Sequence, residues 1–200
     1  MPDESINILL FLANGFEDLE AIAIRDVFGW THYRKNIKKA SVLTTGFHPV
    51  IKSRFGLKVE PDLAFSEVNP KDYQALVLPG GFYSYGFDEA FDKKIYRLAN
   101  DIYYKGGYIA TMCVGILPIA ETGLLKGKQA ITYPYSRNHD NIDRLKKNGA
   151  IVINSPVVMD DRIISCNGPG SAVDVAFLLM EHLLGSKTAQ EVRKYMIYKK

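Results

Sequence analysis

Short apolar runs that each stop at a glycine-bearing turn constrain the fold of this chain more than any other feature. Residues 6–12 (Ile-Asn-Ile-Leu-Leu-Phe-Leu) stop at Asn14-Gly15, residues 73–78 stop at Pro79-Gly80-Gly81, and residues 107–112 run into Cys113-Val114-Gly115. Runs this brief and this apolar read as strands buried inside a sheet. Between the first two lies a helical pattern over 16–33, with Leu19, Ala23, Ile24, Val27, Phe28 and Trp30 on one stripe. Its acids Glu17, Asp18 and Glu20 fall in the first turn, where the helix dipole favours them. A second helix is predicted over 88–104. Strands alternating with amphipathic helices predict an α/β fold with a doubly wound, mostly parallel sheet, whose sites gather at the carboxyl ends of the strands.

The remaining pattern fits the same plan. Residues 39–44 read as a strand, 50–59 as a small edge hairpin turning near Gly56, and 129–133 and 150–153 as strands around a polar helix over 138–147. A hairpin turning at Asp160-Asp161 precedes Gly168-Pro169-Gly170-Ser171, which introduces an apolar helix over 172–184. With 200 residues, 47% hydrophobic and 24% charged, the chain reads as one domain over 1–200. The net charge of +3 is scattered, so there is no basic stripe for nucleic acid. No run approaches the roughly 20 apolar residues of a membrane span, and residues 1–5 lack a basic signal region, so a cytoplasmic location is expected. His32, His48 and His182 have no carboxylate or Cys at ligand spacing, so neither a metal nor another cofactor is expected.

Cys113 and Cys166 fit neither a disulfide framework nor a metal motif and read as free thiols. Cys113 stands where a strand turns into a helix, the position of a nucleophile elbow. The small Gly115 keeps the turn tight, and the unpaired N–H groups of the following helix, Val114 among them, are expected to favour thiolate. Cys166 reads as a buried core residue.

Five motifs in register carry a family likeness: Gly15-Phe16-Glu17-Asp18-Leu19-Glu20, Leu78-Pro79-Gly80-Gly81, Met112-Cys113-Val114-Gly115, residues 123–127 with Ile131-Thr132-Tyr133-Pro134, and Gly168-Pro169-Gly170-Ser171. Together they resemble the ThiJ/PfpI family of the DJ-1 superfamily over residues 6–193. The resemblance implies a flavodoxin-like, glutamine-amidotransferase-like sandwich. It implies Cys113 as nucleophile, Glu20 as its acid partner, and the backbone N–H groups of Gly80, Gly81 and Val114 as donors. It also implies a pocket bordered by Tyr133, Phe82, Gly168 and Pro169. Arg54 matches an arginine that in some relatives reaches a neighbouring subunit, and a homodimer is implied with it.

Two departures matter. Peptidases of this family carry His directly after the Cys, where this chain has Val114. Other members carry His in a Thr-His-Pro segment, where this chain has Tyr133, a phenol that keeps its proton to a pKa of about 10. His139 reads as a solvated loop or helix-cap residue. The leading expectation is therefore a cysteine-dependent protein acting on small electrophiles in a glyoxalase- or deglycase-like manner, or sensing oxidants in oxidative stress through Cys113. A cysteine hydrolase or protease is the first alternative. A non-catalytic module binding a flat ligand among Phe16, Phe82, Tyr83, Tyr85 and Tyr133 is the second.

Overall fold

The computed structural model describes residues 6–33 and 35–199; the segment 1–5, read above for its lack of a basic region, lies outside the described residues. In chain order the first elements are β1 (Ile6–Phe11), α1 (Asp18–Gly29), β2 (Ala40–Gly46), β3 (Ile51–Lys52), β4 (Lys58–Val59), β5 (Leu63–Ala64), β6 (Ala75–Leu78) and α2 (Lys93–Tyr104). There follow β7 (Tyr108–Met112), α3 (Ile116–Ala120), β8 (Gln129–Ala130), α4 (Asn141–Lys147), β9 (Ile151–Val152), β10 (Val157–Asp160), β11 (Ile163–Cys166), α5 (Ala172–Leu184) and α6 (Ser186–Tyr195).

Seven strands form the main sheet in the order β10-β11-β7-β6-β1-β2-β5. Every pairing is parallel except β10 with β11. The strand period of two explains why the runs are apolar throughout. Ile8, Leu10 and Leu12 point into one core, which α1 and α5 cover, while Leu9, Phe11 and Ala13 point into a second, which α2 and α3 cover. The expected doubly wound α/β sandwich is thus the observed one. No helix among the described residues is long and apolar enough to cross a membrane.

Some boundaries and two elements differ from the sequence reading. The 50–59 hairpin forms with Ile51 opposite Val59, but as a ribbon of its own; β5 takes the edge beside β2 instead. The first helix begins at Asp18 because Glu17 caps it, its carboxylate accepting from Glu20 N at 2.8 Å. The second begins at Lys93 for the same reason, with Asp92 accepting from Lys94 N at 2.8 Å after a 3₁₀ segment Phe87–Phe91. Helix α6 was not expected from the sequence.

Candidate functional site

The site is built where the carboxyl ends of β1, β6, β7 and β11 converge. Strand β7 delivers Cys113 with φ 53°, a left-handed backbone that a side chain rarely adopts and that stores about 1–2 kcal/mol. The neighbours leave little alternative. A Cβ on Gly115 would lie 2.3 Å from Leu78 O and 2.9 Å from Pro79 O, so only glycine lets the turn after Cys113 press against the end of β6. A Cβ on Gly80 would lie 2.7 Å from Cys113 Cβ. Pro118 falls within the first turn of the five-residue α3, where its missing N–H removes no helical bond.

Glu20 reaches the elbow from α1. It is fully buried, and its Oε2 accepts from Gly80 N at 2.6 Å. Gly80 is held from its other side as well, its carbonyl accepting from Glu17 N at 2.9 Å. Its N–H is therefore spent on Glu20 and is not free to meet an oxyanion. Glu20 Oε1 has no hydrogen-bond partner among the described residues. Burial pushes the Glu20 pKa up to about 8; the Gly80 N–H opposes this and the Glu17 charge adds to it.

The Cys113 thiol is pushed up too, first by burial and then by the Glu20 charge, with the Val114 N–H pulling the other way and Cys166 and Glu17 adding smaller upward pushes. This reverses the expectation from the helix N-terminus. The helix that follows is a 3₁₀ turn plus five residues, too short for a strong dipole, and burial outweighs one N–H donor. Cys113 and Glu20 consequently titrate as a pair. The sulfur is opposed least as thiolate while Glu20 holds its proton, with the Val114 N–H beside it.

The other expected residues divide into two groups. Cys166, in register beside Met112, is fully buried, and its Sγ donates to Gly168 O at 3.3 Å. Burial pushes its thiol to about 12, while the Cys113 N–H acts on its sulfur in the opposite direction. Gly168, followed by Pro169 at the start of a 3₁₀ turn, faces the Tyr133 ring, which lies 3.4 Å from where a Gly168 Cβ would stand. Thr132 Oγ1 donates to Cys113 O at 3.1 Å. These residues surround the elbow.

Arg54 and Phe82 instead meet each other. The Arg54 guanidinium lies 4.1 Å from the Tyr85 ring centroid, 5.2 Å from Phe55 and 5.3 Å from Phe82. Gly81 pairs with Phe16 in an isolated bridge between the two groups. Tyr83, read in the sequence only as one of several aromatics, follows the Gly80-Gly81 turn at the start of a 3₁₀ segment, Tyr83–Tyr85. His139 folds back against it, with the ring centroids 4.5 Å apart.

The model of the DJ-1/PfpI family matches residues 6–182. Protein DJ-1alpha of Drosophila melanogaster is 31% identical over 96% of this chain and 84% of its own length. Deglycase PfpI of Pyrococcus furiosus is 31% identical over 82% of this chain and 92% of its own. The crystal structure of Drosophila melanogaster DJ-1beta superposes with a TM-score of 0.83 at 26% identity, covering 98% of this chain and all of that one.

Proposed function

The chain belongs to the DJ-1/PfpI family, and from that premise we propose that it is a cytoplasmic, homodimeric protein that uses Cys113 on small electrophiles, reactive aldehydes and peroxide above all. One observation carries the reading: a sulfur on a left-handed elbow shares its surroundings with a buried carboxyl group that has one oxygen tied to Gly80 N–H and the other unpartnered. A carboxylic acid so held can pass a proton to a departing or developing oxygen and take it back, as the interconversion of a dicarbonyl through a thiol adduct requires. Gly81 N–H, which has no acceptor among the described residues, is the backbone donor left for developing negative charge, while Val114 N–H serves the sulfur itself.

Relatives named deglycases support the chemistry at the level of family. The hydrolase alternative stays behind it, because Val114 and Tyr133 stand where the peptidase-type histidines would, and His139 packs on Tyr83. Consumption of methylglyoxal and oxidation of the protein by peroxide, followed by mass spectrometry, test the proposal. Both are expected to be lost in Cys113→Ser; a variant that keeps full activity toward both would overturn it.

A further inference from the structure

Between β8 and α4 the chain forms no helix or strand, yet residues 131–133 are fastened one after another by buried polar side chains. Ser165 Oγ accepts from Ile131 N at 3.1 Å, and Asn141 Nδ2 donates to Tyr133 O at 2.9 Å. Both serve the segment's own backbone, as irregular chain away from water requires. Thr132, between them, does the reverse. Its side chain has no exposure, reaches out of the segment and donates through Oγ1 to the carbonyl of Cys113 at 3.1 Å. Valine would fill the same space with no hydroxyl to desolvate, so the bond to Cys113 is what a hydroxyl adds at this position.

The carbonyl it holds belongs to the strained residue of the elbow, Cys113 at φ 53°. A peptide unit is planar and trans, so the C=O of Cys113 and the N–H of Val114 point in opposite directions and turn together. With the carbonyl fixed on the Thr132 side, Val114 N stays on the other, where a Cβ built on Gly80 would lie 3.0 Å from it and 2.7 Å from Cys113 Cβ. Relaxation of the left-handed backbone would rotate this same unit and carry the Val114 N–H away from the sulfur. A hydrogen bond accepted by the carbonyl also polarises the N–H at the other end of the unit and makes it the better donor. We propose that Thr132 is a positioning residue for Cys113, its hydroxyl locking the Cys113–Val114 peptide so that the Val114 N–H faces the sulfur. The proposal deepens the cysteine-dependent function above and rests on it.

Iodoacetamide alkylation of Cys113, followed by mass spectrometry from about pH 6 to about pH 10, reads the thiolate directly. Thr132→Val is expected to displace the rate profile to higher pH and to lower the rate constant at about pH 8 by roughly threefold to tenfold, the share of one hydrogen bond, while Thr132→Ser stays within about twofold of wild type. Thr132→Ala against Thr132→Ser, which differ by the hydroxyl oxygen alone, gives the same comparison if Thr132→Val does not fold. In methylglyoxal turnover the loss is expected in kcat, with KM within about twofold. An alkylation profile that coincides with wild type in the variants without the hydroxyl would overturn the proposal. So would a Thr132→Ser protein as slow as Thr132→Ala, which would make Thr132 a packing residue. A profile that follows the hydroxyl, together with equal methylglyoxal consumption by wild type and Cys113→Ser, would uphold the positioning of the thiol and overturn the function beneath it.

Discussion

At Glu20 a carboxyl group with no exposure is held by one backbone N–H, and its pKa rises from the ordinary 4.5 to about 8. The folded protein therefore keeps a proton over a range in which the unfolded chain has lost it. Stability from this group is complete below about pH 4.5 and falls as pH rises, until it levels off above about 8. Glutamine has the shape of the protonated acid at every pH, so Glu20→Gln should remove that part of the slope. Urea unfolding at intervals from pH 5 to 9 is expected to bring a stability gain of a few kcal/mol for Glu20→Gln at the alkaline end and little difference at the acid end. Parallel curves for the two proteins would contradict a protonated Glu20. Cys113 was legible in the sequence because a strand-to-helix turn marks it, whereas Glu20 and Gly80 entered as site residues only through the resemblance to a known family, Glu20 otherwise reading as one more first-turn acid. The raised thiol was not legible, since burial and the opposing Glu20 charge arise only when α1, β6 and β7 meet.

Among the elements, the elbow depends on β6 as much as on β7. Leu78 is in register with Thr111, and the turn after Cys113 rests on the carbonyls of Leu78 and Pro79 at the position of Gly115. Because the obstructing atoms are backbone, a methyl group there cannot be accommodated by turning a side chain. Gly115→Ala should destabilise the protein by about 1–3 kcal/mol or more and slow Cys113 alkylation as the elbow is displaced. Gly29→Ala, whose added Cβ would meet nothing within 4 Å, is the control and should be neutral or stabilising in both measurements. A Gly115→Ala protein with wild-type denaturation midpoint and thiol reactivity would show that the turn bears no such load. Strands β1, β6 and β7 could be read from sequence because both of their faces enter a core. The two-residue β5 could not, as its pairing with β2 comes from the path of the chain and not from any pattern in Leu63-Ala64. Helix α6 escaped notice because its buried face is made of the small or polar-bearing Thr188, Ala189 and Val192, with no large apolar side chain to mark it among the polar residues.

For the molecule as a whole, one surface is dressed differently from the rest. Helix α1 turns Leu19 and Ile22 outward at 49% and 48% exposure, and the β3–β4 ribbon adds Phe55 at 65% and Leu57 at 40%. Ile22 and Leu57 line a groove of about 810 Å³ between the helix and the ribbon, floored by Leu10, Leu12 and Phe16. Apolar side chains grouped in this way are characteristic of a surface that another protein covers. The ribbon is not loose, since Ser53 Oγ and Phe55 N both donate to Asp18, at 2.7 and 3.1 Å, and Gly15 N donates to Lys52 O at 2.7 Å. A preformed apolar face of this kind suits the homodimer proposed above, with α1 and the ribbon of one subunit against those of the other. Because α1 also carries Glu20, the proposed interface and the site would share a helix. Ile22→Glu places a charge in the middle of that face, and light scattering after size exclusion should find its mass half that of the wild type at micromolar concentration. A wild type that already runs as a monomer would refute the dimer, and a variant that keeps the wild-type mass would move the interface off α1.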